Sequence, residues 1–143
     1  STLHTYYFAD AHTANRGPAQ AMYISPMRDA IDKGLVPTNH TDFVVAPLDP
    51  MFMMWSAVNR ISRGGAEVGA DQRITPLEAL KAQTINVALQ YGEQASKGSL
   101  EPGKRADLVI LDRNPLKVEP MAIKDVKVVE TIKDGRTIYV AKP

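Results

Sequence analysis

Three times in the first 80 residues a side chain able to cap a helix stands directly before a proline: Ser25-Pro26, Asp49-Pro50 and Thr75-Pro76. A capping oxygen accepts a backbone N–H that the first helical turn leaves without a partner. A proline at the first helical position has its φ preset and gives up an N–H that would be unpaired anyway. Each doublet therefore predicts a helix start. After Ser25 the apolar face is Met27, Ala30 and Ile31, and Gly34 closes the helix. After Asp49, residues Met51, Met54, Trp55, Val58 and Ile61 recur at helical spacing, the mark of a core-facing stripe rather than a cofactor box. Thr75 has Glu78 three residues on, a capping box, and Leu77, Leu80, Ile85 and Leu89 are expected to face inward up to Gly92. That run reads as one helix, or as two broken near Asn86.

Between these helices the pattern reads differently. Residues 3–8, "LHTYYF", are aromatic-rich and predict a strand. "ADAHTANRGPAQ" predicts a loop from its small residues, Gly17 and Pro18. "LVPTNHTD" predicts a short strand ending in polar residues, with Pro37 keeping its hydrogen-bonded part brief. The texture changes after residue 95. "KGSLEPGKRADLVILD" is a turn followed by an apolar strand, and Asp134-Gly135 between two strand-like runs is a strong hairpin signal. Residues 1–95 thus read as β-α-β-α and residues 98–143 as a small β unit.

Composition narrows the function. The 143 residues suffice for one domain with a core, and 44% hydrophobic against 23% charged residues is ordinary for a globular chain. A formal charge of +1 without blocks of one sign gives no electrostatic case for nucleic acid or an anionic membrane, and no apolar run nears the roughly 18 residues of a bilayer span. Absence of cysteine excludes disulfides, thiolate metal sites and cysteine nucleophiles within this chain. It fits cytosol and periplasm alike; cytoplasm is the compartment expected. The first residues, "STLHTYYFAD", carry no signal-peptide pattern and no initiator Met, so a fragment or processed product is expected.

Asp42 is the leading chemical candidate. It falls after one proposed strand and before a helix, where parallel β/α proteins collect functional groups. An aspartate there can ligate a divalent metal and take a proton from water; the competing reading is an Asx-type turn ahead of Pro47. His40 would share its face if the strand continues. His4 and His12 flank "TYYFADA", and all three histidines lie near proposed strand ends, none in a helix. Each alone reads as a packed or strand-end histidine. Lys104 and Arg105 sit in a turn, "GAEVGAD" lacks the spacing of a phosphate loop, and no serine stands in a nucleophile elbow.

Residues 98–116, "GSLEPGKRADLVILDRNPL", resemble the C-terminal signature of the amidohydrolase superfamily. "ITPLEALKAQTINVALQYG" resembles its final barrel helices. "HTDFVVAPLDPMFMMWSAVNR" is similar to the eighth strand end and following helix of amidohydrolase family 3, the branch related to N-substituted formamide deformylases. "HTYYFADAHTANRGPAQAMYISPMRDAIDKG" resembles the seventh strand and its helix, with Phe8-Ala9 where a tryptophan-glycine pair is common. The resemblance implies an α/β fold: residues 1–95 as the last two units of a metal-dependent (β/α)8 barrel, and residues 96–143 as a β-sandwich segment. It implies that Asp42 is both metal-site aspartate and proton shuttle, with His4, His12 and His40 on the substrate side. The family's His-X-His pair, fourth-strand bridging residue and fifth- and sixth-strand histidines have no counterpart here. The expectation is therefore the C-terminal part of a hydrolase that cleaves a C–N bond in a small amide- or formamide-like substrate. A divalent metal, zinc, is expected in the whole enzyme and none in this chain alone. The expected partner is the rest of its own protein or a second copy. The rival expectation is a non-catalytic remnant or self-associating module.

Overall fold

Asp49 opens the helix on which the remainder packs. The structure, a computed structural model, describes residues 1–142. Four short helices come first: α1 (Leu3–Tyr7), α2 (Ala9–Arg16), α3 (Pro18–Met22) and α4 (Met27–Asp32). An irregular segment, residues 35–49, leads to α5 (Pro50–Asn59). A 3₁₀ turn (Ala70–Gln72), α6 (Pro76–Lys81) and α7 (Ile85–Gln90) follow. The chain ends with β1 (Leu108–Leu111), a 3₁₀ turn (Pro120–Asp125), β2 (Val128–Lys133) and β3 (Arg136–Val140).

The Asp49 carboxylate accepts the Phe52 N–H at 2.9 Å, and α5 then runs with nearly every face buried. Its Met54, Trp55, Ala57 and Val58 meet Met27 of α4, Ala79 of α6 and Ile123 of the second 3₁₀ turn in one apolar cluster. That turn ties the C-terminal sheet to α5. Asn59 donates to the Pro120 carbonyl at 2.9 Å, and the Lys124 ammonium lies 5.1 Å from the centre of the Trp55 ring.

The capping box at Thr75 is present in full: the Glu78 N–H reaches the Thr75 hydroxyl at 3.2 Å, and the Thr75 N–H reaches the Glu78 carboxylate at 2.8 Å. The run is two helices, as one of the two expectations had it, broken at residues 82–84 just before Asn86, which lies inside α7 and donates to the Pro37 carbonyl at 2.9 Å. Leu77 and Leu89, expected to face inward, are exposed, and the buried residues of the two helices are Ala79 and Ala88. Ser25 does not cap α4. It has φ +49°, its hydroxyl donates to the Ser1 carbonyl at 2.8 Å, and Pro26 takes the cap position.

Both strands expected before residue 95 are corrected. Residues 3–7 are helical, and the supposed loop after them is α2 and α3, turning at Gly17 with φ +80°. A strand must find a ladder partner for its backbone groups, whereas a helix satisfies its own. Here the aromatic run packs from a helix: the Tyr6 ring meets Phe52 edge-to-face at 4.8 Å and Trp55 at 5.9 Å. Residues 35–42 form no ladder either; Pro37 has no N–H to give, and the Asn39 N–H goes to the Ala82 carbonyl at 2.9 Å. The fold is α/β with a small antiparallel sheet ordered β1-β2-β3, and among the described residues there is no parallel strand pair. The hairpin stands where expected, with Asp134 and Gly135 at φ +47° and +74°, as a type I′ turn requires.

Arg60 ends α5 in the left-handed conformation with no exposed surface. Its guanidinium donates to the carbonyls of Val68 at 2.7 Å, Ser25 at 2.9 Å and Ile24 at 2.7 Å. Burial pushes its pKa down to about 10, still far above neutrality. Gly69 packs beside it because any Cβ there would lie 2.0 Å from the Met22 carbonyl oxygen. Replacing Arg60 by Met leaves the buried Val68 carbonyl and the partly buried Ile24 and Ser25 carbonyls without their donor. Arg60→Met is expected to lower unfolding free energy by about 3 kcal/mol or more in urea titrations. A loss below about 1 kcal/mol contradicts this account of the joint.

Candidate functional site

Asn39 places the site. Its side chain accepts the Thr2 N–H at 3.0 Å and donates to the Thr2 hydroxyl at 2.8 Å, and it is buried. The Thr2 carbonyl in turn accepts the hydroxyls of Thr5 at 2.6 Å and Ser56 at 2.7 Å. This satisfied polar network joins α1, α5 and the irregular segment. The three residues after Asn39 then alternate: His40 is exposed, Thr41 buried and Asp42 exposed. Asp42 adopts φ +59°, and its carbonyl accepts the Val45 N–H at 2.7 Å, closing a turn.

Asp42 Oδ2 lies 3.7 Å from His4 Nε2. That nitrogen is buried and has no hydrogen-bond partner. The His4 ring is held edge-to-face against Phe8, with centroids 5.2 Å apart and planes at 84°. Burial lowers the His4 pKa, and the positive charges of the Ser1 amine, His12 and His40 act the same way; Asp42 opposes them. His4 is therefore neutral at pH 7. The four residues picked from the sequence thus share one electrostatic neighbourhood, with direct approach between His4 and Asp42. None is at a strand end: His4 is in α1, His12 in α2, and His40 and Asp42 are in the irregular segment. Asn39, Thr2, Thr5 and Ser56 were missed, because small polar residues carry no signal of burial. The one available clue was Asn39 itself, opening the "NHTD" stretch.

Among the described residues no group of three or more His, Cys, Asp or Glu side chains is arranged to hold a metal ion. Asp42 with His4 offers two donors, short of the three or four protein ligands of a zinc centre. These residues do not form a metal site by themselves. A groove of about 1060 Å³ lies between α7 and β1, where Ile85, Ala88, Val109 and Ile110 are among its walls. It is apolar and contains none of the four candidates, so its size says nothing about the chemistry.

The model of the Amidohydrolase family matches residues 1–139. The N-substituted formamide deformylase of Arthrobacter pascens is 36% identical over 114 residues, which is 80% of this chain and 21% of that protein. The adenine deaminase of Paracoccus denitrificans is 36% identical over 75 residues, 52% of this chain and 12% of that enzyme. A solved amidohydrolase from Thermotoga maritima shares the fold with a TM-score of 0.61 at 22% identity, over 80% of this chain and 26% of that one. The chain thus spans about a fifth or less of the length of these curated relatives.

The His4 shift fixes a pH dependence. The folded chain binds this proton less readily than the unfolded one, whose histidines titrate near about 6.5. Stability from this group is full above that pH, falls as pH drops through it, and levels off once folded His4 is also protonated. Histidine-ring NMR is expected to place His4 below the usual value, and Asp42→Asn is expected to lower it further. No change on that substitution contradicts the proximity described.

Proposed function

Because this chain belongs to the amidohydrolase family, in its family 3 branch, we propose that the protein containing it hydrolyses a C–N bond in an amide- or formamide-like small molecule. The observation that carries this reading is the Asp42 carboxylate, exposed in a left-handed turn beside the buried His4 nitrogen. In our reading Asp42 takes a proton from the attacking water as hydroxyl adds to the carbonyl carbon. It returns that proton to the nitrogen as the C–N bond breaks, so one carboxylate serves as base and then acid. His12 and His40 are assigned to the substrate side; His4, which the resemblance also implies there, stands beside Asp42 itself. The similarity to the N-substituted formamide deformylase of Arthrobacter pascens supports a formyl or similarly small acyl group.

The resemblance implies a divalent metal, zinc in our reading, with Asp42 among its ligands. The described residues do not complete that ligand set, and no step above depends on it. Residues 1–95 are assigned to the barrel part and residues 96–143 to the sandwich segment. No helix among the described residues is long and apolar enough to cross a membrane, and cytoplasm is the compartment we assign.

A second reading, a self-associating module, is favoured by one feature. Leu35, Val36, Phe43, Val44, Val45 and Leu48 are all more than half exposed, between 52% and 80%, in the segment that carries Asp42. Six large apolar side chains left exposed within fourteen residues are assigned to contact with the rest of the protein or a second copy. Light scattering on the 143-residue chain is expected to show species above 15.7 kDa. A clean monomer contradicts that assignment.

Asp42→Asn in the whole protein keeps the shape of the side chain and removes its ability to take a proton. Turnover of an N-substituted formamide is expected to fall roughly 100-fold or more with the melting temperature unchanged. A rate within a few-fold of wild type removes Asp42 from the reaction.

A further inference from the structure

We propose that His4 is a positioning residue for Asp42: its Nε2–H holds the carboxylate in the orientation that receives the proton from water. This rests on the reading of Asp42 as the catalytic base. Three observations point to it. The His4 nitrogen facing Asp42 is buried and has no hydrogen-bond partner, an arrangement that costs free energy unless a partner arrives. The nearest acidic oxygen is Asp42 Oδ2 at 3.7 Å, too long for a hydrogen bond and within about 1 Å of one. The Phe8 ring fixes the imidazole on one side, and the Asn39–Thr2 hydrogen bonds fix the segment that carries Asp42 on the other. Asp42 is the more exposed of the pair, 51% against 35%, so its side chain is the one free to close the gap. Long catalytic hydrogen bonds that tighten when substrate binds are common in free enzymes.

The test uses the whole protein and formanilide, a simple N-substituted formamide, with His4→Ala, His4→Gln, Asp42→Asn and the His4→Ala/Asp42→Asn pair. His4→Ala is expected to lower kcat about 10-fold or more with KM within about 2-fold. His4→Gln, which keeps a donor at nearly the same place, is expected to recover most of the loss. The double variant is expected to be no slower than Asp42→Asn alone, because His4 acts through that carboxylate. A rise in KM at unchanged kcat makes His4 a substrate contact and overturns the proposal. So does an equal slowing by His4→Ala in the presence and absence of the Asp42 carboxylate. If Asp42→Asn itself retains near wild-type turnover, the catalytic reading fails instead. A measurement free of turnover judges the geometry: nitrogen-15 spectra of the histidine rings, above pH 7, are expected to show the His4 proton on Nε2, perturbed by Asp42→Asn. A proton on Nδ1 leaves no donor toward Asp42 and overturns the proposal whatever the substrate.

Discussion

The contact between Asn39 and Thr2 is the constraint on which the site depends. Residues 35–49 have no helix or strand of their own to locate them. Their place is set by a few anchors: the Asn39 side chain on Thr2, the Asn39 N–H on Ala82, and the Pro37 carbonyl on Asn86. In a buried setting a satisfied polar group holds one geometry, since each alternative leaves a donor or acceptor without a partner. Asp42 follows Asn39 by three residues. The approach of Asp42 to His4 is therefore inherited from that anchor, since Thr2 directly precedes the helix that bears the histidine.

Helix α5 is the common support. Ser56 on one face donates to the Thr2 carbonyl, while Trp55 and Asn59 on others meet the turn before β2. At its end, Arg60 gathers the carbonyls of the α3–α4 connection. A single buried helix thus couples the site, the N-terminal helices and the antiparallel sheet.

What could be read from the sequence was what is local. The caps at Asp49 and Thr75 and the Asp134-Gly135 turn act within four residues, so their side chains announce them. The apolar stripe of α5 was legible from its helical spacing, but the burial of its other faces, Ser56 and Asn59 included, was not. The aromatic run at residues 3–8 was not, since tyrosine and phenylalanine pack equally well from a strand or a helix, and the choice fell to the aromatic partners on α5. Asp42 is singled out by its place before a helix and by the resemblance; its approach to His4, 38 positions away, is not readable from the sequence. Nor is the burial of Asn39, whose residue type suggests only a turn. The family itself was legible and holds; the two parallel barrel strands read from it are helix and irregular chain here.

The central claim is that Asp42 stands at the working centre of an amidohydrolase. Diffraction from crystals of the longest natural form of the protein, recorded at the zinc absorption edge after soaking in zinc, tests it most directly. The account predicts an anomalous peak with an Asp42 carboxylate oxygen about 2.0–2.2 Å away and the His4 ring on the same side of the site. A peak ligated entirely by other residues, with the Asp42 side chain turned away into solvent, would contradict it.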